Sequence, residues 1–253
     1  YSLETSKSAP ITVENGTLTV TGDATLVQNG TQELASSAVR VTGGTLIFEG
    51  NLTATGASGK PAVEVTNGTL RLKAGDVLNG GVSVEGSENY ETVNALLGEN
   101  LAFAKVGETS TIVNGNVKSI IGNVTVVAHT HSIEEGQSAC ACGRQFEASV
   151  TAEDGTTAYY GTLDEAFASV KAGGTVKLMI DSDDRSRSNT IYVVGGPYTF
   201  DLNGHRVGHR TDDDNRHQAF LQVGDPDGTP GTLTVLDSSK TDDTEGTGYF
   251  YEL

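Results

Sequence analysis

The sequence predicts an all-β fold, a right-handed parallel β-helix in which short strands stack as successive turns of a solenoid. Three observations predict it: a repeated unit in the first 86 residues, short runs of alternating apolar and polar residues, and glycine at the bend between runs. Short capping helices and a central linker complete the prediction. The linker joins two partial modules, one on each side of it.

The repeated unit has the form V-x-V-x-[NG]-G-T-L. It occurs as ITVENGTLTV at 11–20, AVRVTGGTLIF at 38–48 and AVEVTNGTLRL at 62–72. Its glycines, Gly16, Gly44 and Gly68, are 28 and 24 residues apart (44 − 16 and 68 − 44), a period typical of solenoids. Asn-Gly is also a strong hairpin signal, so a β-sandwich of tight hairpins is the alternative fold. In the β-helix, the following side chains point inward: Val39, Val41, Leu46, Val63, Val65 and Leu70.

The first module is predicted to occupy residues 1–127. Near its end the strand rhythm is interrupted at 88–105, where 91–97 is a candidate for a short helix that covers the solenoid. Two further strands are expected at 110–113 and 123–127.

A His/Cys linker is predicted at 128–146, and a second β-helix module at 147–253. The second module opens with a capping helix at 162–171, because Thr162 and Glu165 form a T-x-x-E capping box. One face of this helix is apolar. Strand-like runs precede the helix at 145–153 and 158–160, and others follow it at 175–180, 190–194, 198–202, 219–223 and 232–236.

Several segments of the second half resemble a known family. The sequences TLDEAFASVKAGGTVKLMID, YTFDLNGHRV and GTLTVLDSS resemble the opening of parallel β-helix modules in large, repetitive cell-surface proteins of Gram-positive gut bacteria of the Firmicutes type. ALLGENLAFAKV resembles the segment that closes a preceding module, and HTHSIEEGQSACACG resembles a linker between modules. The resemblance implies the architecture, and no single activity accompanies it.

Charge excludes some classes of partner. Lys and Arg number 16 against 33 Asp and Glu, which gives a net charge of −17. Such a chain repels nucleic acids and anionic membrane surfaces, so no nucleic acid is expected as a partner. No run of apolar residues is long enough for a transmembrane helix, so no membrane insertion is expected in this segment. Tyr1 is not an initiator methionine, and we expect the chain to be a fragment of a longer secreted protein.

The candidate metal ligands are His129, His131, Cys140 and Cys142. The members of each pair are two positions apart, so an extended segment would place both side chains on one face. Two such pairs could close a tetrahedral site around Zn²⁺ and fix the angle between the modules. A strained disulfide between the two cysteines and a pair of free thiols are the alternatives.

A second set of residues, all aspartates, is a candidate for binding calcium. Hard cations prefer carboxylate oxygens, but a D-x-D-G fragment lacks the remainder of a twelve-residue calcium loop. Aspartate also favours turns, so solvated loops between rungs are the alternative interpretation. No cofactor is required by the predicted architecture. The candidate calcium ligands are Asp212, Asp213, Asp214, Asp225 and Asp227.

The predicted function is a non-enzymatic, extracellular structural and adhesive repeat module, located at the cell surface or in the cell wall. Its expected partner is a host glycan or a surface protein of host or bacterium. The alternative is a carbohydrate-active β-helix enzyme, a polysaccharide lyase or glycosidase, or a glycan-binding module. The acidic, Arg-containing loops at 181–216 would hold the enzyme's site, since glycosidases need two carboxyl groups across a groove. The sequence contains no G-x-S-x-G nucleophile motif.

Overall fold

A computed structural model describes residues 1–134, 137, 139–184, 190–209, 221–239 and 248–252. The described chain contains about seven turns of parallel β-solenoid and one short α-helix. It divides into two compact units, 1–144 and 145–253, and each has a separate hydrophobic core. The predicted fold class is confirmed, and the β-sandwich alternative is excluded because strands 24–28 residues apart pair in parallel.

The described residues of the first unit form thirteen strands and two 3₁₀ helices. The strands are β1 (Ser2–Thr5), β2 (Ile11–Val13), β3 (Thr17–Val20), β4 (Ala24–Gln28), β5 (Val39–Phe48), β6 (Leu52–Thr55), β7 (Val63–Leu70), β8 (Val77–Asn79), β9 (Gly81–Ser83), β10 (Leu101–Lys105), β11 (Glu108–Val113), β12 (Ser119–Ile121) and β13 (Val124–Ala128). The 3₁₀ helices are Gln32–Leu34 and Val93–Leu96.

Two parallel sheets stack the repeats of this unit. One contains β1, β4, β6 and β8, and the other contains β2 and β3 followed by β5, β7 and β9. Register places equivalent residues of the repeat directly beside one another: Val39 pairs with Val63, and Leu46 pairs with Leu70. All six residues predicted to point inward are buried, with at most 1% of their surface exposed.

The end of this solenoid differs from the prediction. Strands β12 and β13 add to the two sheets in antiparallel orientation, and β10 and β11 extend the first sheet beyond them. The expected helix at 91–97 is a 3₁₀ helix, Val93–Leu96, whose Val93 and Leu96 are buried. The strands expected at 110–113 and 123–127 correspond to β11 and β13, whereas β10 and β12 were not predicted. The direction of each strand depends on the distant edge with which it pairs.

The second unit has three faces. Its strands are β14 (Ala148–Thr151), β15 (Thr157–Tyr160), β16 (Thr175–Leu178), β17 (Ser182–Asp184), β18 (Ile191–Val193), β19 (Gly195–Asp201), β20 (Arg206–His209), β21 (Leu221–Val223), β22 (Gly231–Leu236) and β23 (Tyr249–Glu252). Parallel pairing joins β16, β19 and β22 on one face, β17, β20 and β23 on the second, and β18 and β21 on the third. The hairpin β14–β15 joins the first face in antiparallel orientation through β14.

Helix α1 (Leu163–Ser169) begins where the sequence predicts. Thr162 is its N-cap, and the side chains of Thr162 and Glu165 each accept from the other's backbone N–H, which completes the capping box. Leu163 and Ala166 are fully buried against the second core. The edge of β16, however, is covered by β14 rather than by this helix.

Candidate metal centre

The two histidines follow directly after a strand. His129 is the first residue beyond β13, and its backbone N–H donates to the carbonyl of Asn100 at 2.9 Å. His131 lies two residues further on, and the two imidazole rings meet edge to face with centroids 5.0 Å apart. Strand β13 therefore brings both rings to one place in the first unit.

The two cysteines lie in a tight turn and not on the extended segment that their spacing predicts. Gly143 donates its N–H to the carbonyl of Cys140 at 2.7 Å, and Cys140 donates to the carbonyl of Arg144 at 3.0 Å. Gly143 has φ of +82°, and a Cβ at this position would lie 1.9 Å from Oδ1 of Asn114. A side chain at this position would be strained and would have to displace Asn114, so glycine at the end of C-A-C-G favours the turn.

This turn is hydrogen-bonded to the end of the first solenoid. The carbonyl of Cys142 accepts from the backbone N–H of Gly115 at 2.8 Å and from Nδ2 of Asn94 at 3.0 Å. The Arg144 guanidinium donates to the carbonyl of Gly98 at 3.1 Å. Of the segment predicted as a linker, 128–146, the described residues up to 144 thus belong to the first unit, and the boundary falls between 144 and 145.

The four candidate side chains converge. Nε2 of His129 lies 3.0 Å from Sγ of Cys140, and Nδ1 of His131 lies 3.6 Å from Sγ of Cys142. One donor atom from each residue falls within 4.8 Å of every other. Both cysteines are unbridged and buried, and both histidines are half-buried.

Burial dominates the electrostatics of the cluster. It lowers the pKa of His131 to about 4, helped by the positive charge of Arg144 and by His129, and it lowers the pKa of His129 in the same direction. Burial also raises the pKa of the Cys142 thiol to about 11. In the metal-free protein at neutral pH, the two imidazoles are neutral and the Cys142 thiol is protonated.

The supporting residues could not be identified from the sequence. The spacing of the histidines and cysteines marks the donors, but Asn94, Asn114 and Gly115 are distant in sequence and form no motif with them. Asn94 and Gly115 donate to the carbonyl of Cys142, and Asn114 lies beside Gly143, in positions that only the folded end of the solenoid defines.

The candidate calcium ligands are not gathered into a site by the described residues. Asp212, Asp213 and Asp214 lie outside the part of the chain that the structure describes. Asp225 is engaged in its own turn, because its Oδ1 accepts from the N–H of Thr229 at 2.7 Å, and this bond lowers the pKa of its carboxyl group. Asp227 lies in the same turn, which Gly228 closes by donating to the carbonyl of Asp225. Calcium binding remains a prediction.

The loops proposed for an enzymatic site are described only in part. Asp181 forms an ion pair with Arg206, whose Nε and Nη2 donate to Oδ2 of Asp181 at 2.9 and 2.6 Å. Nδ1 of His205 lies 3.3 Å from Oδ1 of the same carboxylate. The backbone N–H of Arg206 lowers the pKa of Asp181 most strongly. This carboxylate connects two neighbouring rungs, which is a structural role. Residues 185–189 and 210–220 lie outside the described residues.

The fold and the cluster define a parallel β-solenoid protein with a Cys₂His₂ donor set. Comparison with protein-family models, with curated proteins and with solved structures finds no match to this chain. Among the described residues, the only α-helix has seven residues, and none is long and apolar enough to span a membrane.

Proposed function

We propose that this chain is a non-enzymatic structural and adhesive repeat module of an extracellular bacterial surface protein. The observation that carries the proposal is the in-register stacking of repeats, because it produces a packed core with continuous outer faces. Parallel strands stack about 4.8 Å apart, so each added repeat extends such a face by the same step. The bacterial-surface part of the proposal rests on the resemblance of the second half of the chain to modules of such proteins.

The outer face of the first sheet supports a role in display. Thr25 pairs with Thr53, and Val27 pairs with Thr55, so side chains of similar size form columns across the rungs. These side chains are exposed or half-exposed, whereas Leu26 and Ala54 between them are buried. A regular face with repeated threonine side chains suits contact with an extended partner along its length.

A groove in the first unit favours glycan binding as a second candidate function. It has a volume of about 740 Å³ and lies beside the antiparallel end of the second sheet. Sugar hydroxyl groups pair with hydroxyl, amide and carboxylate side chains, and the groove offers all three kinds. Its polar lining includes Thr55, Asn79, Ser83, Glu85, Ser119 and Asn123.

A binding screen and a cleavage assay on the whole chain test the proposal together. We expect retention on a glycan array or a surface-protein array, without new reducing or unsaturated sugar ends on pectin, glycosaminoglycan or mucin glycans. For the glycan candidate, Glu85→Ala in the groove is compared with Glu14→Ala, an exposed glutamate of the first unit that does not line it. Weaker binding in Glu85→Ala alone supports the groove.

Cleavage would favour the enzyme. If new sugar ends appear and Asp183→Ala or Asp213→Ala abolishes them, the chain is a carbohydrate-active enzyme and the structural proposal is wrong. If the chain neither binds any array nor cleaves any polymer, the adhesive part is wrong.

A further inference from the structure

We propose that His129, His131, Cys140 and Cys142 bind one Zn²⁺ ion, which staples the segment from 129 to 143 onto the end of the first solenoid. This site is separate from the proposed structural and adhesive function, so either can fail without the other. It also differs from the arrangement that the sequence alone suggests, because all four residues belong to the first unit.

The first argument is geometric. Zinc bonds to sulfur at about 2.3 Å and to nitrogen at about 2.0–2.1 Å, so the ligand atoms of a tetrahedral site lie about 3.3–3.8 Å apart. The His131–Cys142 separation of 3.6 Å lies within this range, the His129–Cys140 separation of 3.0 Å lies slightly below it, and all four ligand atoms lie within 4.8 Å of one another. Contraction by about 1 Å at the widest pair completes the tetrahedron.

The second argument is the balance of charge. Binding removes one proton from each thiol: Zn²⁺ plus two Cys–SH and two neutral imidazoles give Zn(Cys–S⁻)₂(His)₂ plus two H⁺. The two thiolates cancel the charge of the metal, so the centre formed among these buried and half-buried residues has no net charge. A neutral centre avoids the large desolvation cost of an uncompensated ion. The released protons pass to solvent, and no oxidant or reductant is needed.

The third argument is the chemistry of the donors. Two sulfur and two nitrogen donors suit zinc, whereas Ca²⁺ and Mg²⁺ require oxygen ligands. Four protein ligands fill a tetrahedral shell, so no position remains for water or substrate, which is the pattern of a structural site.

The fourth argument is that the ligands are already anchored to the solenoid. His129 is hydrogen-bonded to Asn100, and the carbonyl of Cys142 is bonded to Gly115 and Asn94. One ion would therefore join the chain leaving β13 to the cysteine turn that precedes 145. Because metal binding orders the ligand segments, part of its free energy appears as stability of this end of the unit.

The direct test is metal titration of the whole reduced chain after treatment with a chelator. We expect one Zn²⁺ per chain by emission spectroscopy, and Co²⁺ in its place should give thiolate-to-metal charge-transfer bands with tetrahedral d–d absorption. Zn²⁺ should protect both thiols from alkylation in the unmodified protein, so this readout does not depend on the folding of a variant.

Variants identify the ligands. Cys142→Ser and His131→Ala should each weaken Zn²⁺ binding by more than about 100-fold, since loss of an outer-shell partner alone costs roughly 10–100-fold. His205→Ala is the matched control, because this histidine belongs to the second unit and should leave zinc affinity unchanged. A loss of affinity in His205→Ala equal to that in His131→Ala would overturn the assignment.

Limited trypsin digestion tests the staple. Cleavage after Arg144 should slow at least about tenfold with Zn²⁺ and recover with a chelator, while cleavage after Lys7, an exposed residue away from the cluster, should not change. Two thiols that alkylate equally with and without zinc, a disulfide seen by intact mass in the zinc-treated protein, or a cobalt spectrum without thiolate bands would overturn the proposal.

Discussion

Glycine at the bend of each repeat is required for two different reasons. Gly16, Gly44 and Gly68 all have positive φ, between 68° and 88°. In addition, a Cβ on Gly44 would lie 2.3 Å from the carbonyl oxygen of Gly16, and one on Gly68 would lie 2.5 Å from that of Gly44. The bends at Gly44 and Gly68 therefore each lie directly against the backbone of the preceding bend, whereas the bend at Gly16 has no such neighbour among the described residues.

This difference predicts unequal costs for the same substitution. Gly16→Ala should lower the free energy of unfolding by about 1–2 kcal/mol, the cost of the left-handed backbone alone, because no atom of the described residues lies within 4 Å of the added Cβ. Gly44→Ala has the same cost of a left-handed backbone, and it must also displace the Gly16 carbonyl. Its loss of unfolding free energy should therefore be clearly larger. Urea denaturation of both variants measures this, and equal losses would show that the bends are not in contact.

The inward assignment of the repeat valines predicts a severe loss of stability in Val65→Asp. Val65 is fully buried and pairs with Val41 of the preceding repeat. An unpaired carboxylate there should cost about 3–5 kcal/mol of unfolding free energy. Thr69→Asp is the matched control, since Thr69 is exposed on the same strand and should change stability by about 0.5 kcal/mol or less. Equal melting temperatures for the two variants would contradict the register.

At the scale of residues, the sequence predicted more of the core than of the site. Alternation alone places Val39, Val63 and Val65 inside, because a strand has only two faces. The spacing of histidines and cysteines identifies the donors, but it cannot show that the cysteines lie in a turn. That turn is hydrogen-bonded to Gly115 and Asn94, whose positions are set by the folded end of the solenoid.

Among the elements, helix α1 and the hairpin β14–β15 together cover the start of the second unit. The sequence assigned all of it to the helix, whose capping box and apolar face are local signals. The pairing of Val150 with Val176 instead places β14 against β16, so the N–H and C=O groups of that edge are already bonded. Pairing between strands separated by a helix leaves no local signal in the sequence.

We therefore expect Leu163→Ala to destabilise the chain without causing it to associate. Leu163 is fully buried, and the substitution should cost about 2–5 kcal/mol of unfolding free energy. Light scattering should still report the mass of the unmodified protein, because β14 continues to cover β16. Ser169→Ala, on the exposed face of the same helix, is the control. Self-association of Leu163→Ala alone would show that the helix protects the edge.

A corner between rungs of the second unit should respond to acid. Burial of the Asp237 carboxyl would raise its pKa, but hydrogen bonds from Ser239, Gly248 and Gly204 outweigh this effect and bring the pKa to about 2. The pKa in the folded state lies below the ordinary value of 3.8. The ionised Asp237 carboxylate therefore adds to the free energy of unfolding above about pH 4, and this added stability is lost as the pH falls toward 2.

The difference between the unmodified chain and Asp237→Asn isolates this contribution from those of other acids. Stability of the unmodified chain should fall more steeply between about pH 4 and pH 2 than that of Asp237→Asn, measured by urea denaturation at each pH. Parallel pH profiles would mean that these hydrogen bonds do not stabilise the corner.

At the scale of the whole molecule, fold class, repeat period and a division into two parts follow from the sequence, but the position of the boundary between them does not. Each repeat contains the sequence signals for its own strands and bends, so the stacked solenoid can be predicted from the repeats. The boundary instead depends on where the His/Cys segment makes its hydrogen bonds, at Asn94, Gly98 and Asn100 of the first unit. A segment with polar composition and glycine is indistinguishable from a free linker until those contacts are known.

The acidity of the whole chain predicts that salt stabilises it. A net charge of −17 makes the folded state repel itself, and added ions screen that repulsion over a Debye length that falls from about 30 Å at 0.01 M to about 10 Å at 0.1 M. The melting temperature should therefore rise between these concentrations, equally with sodium chloride and choline chloride, because screening depends on ionic strength. The double variant Glu14→Gln/Glu99→Gln removes two exposed charges and should show a smaller rise. A melting temperature that falls with salt in both electrolytes would mean that attractive pairs, and not net repulsion, dominate the electrostatics of this protein.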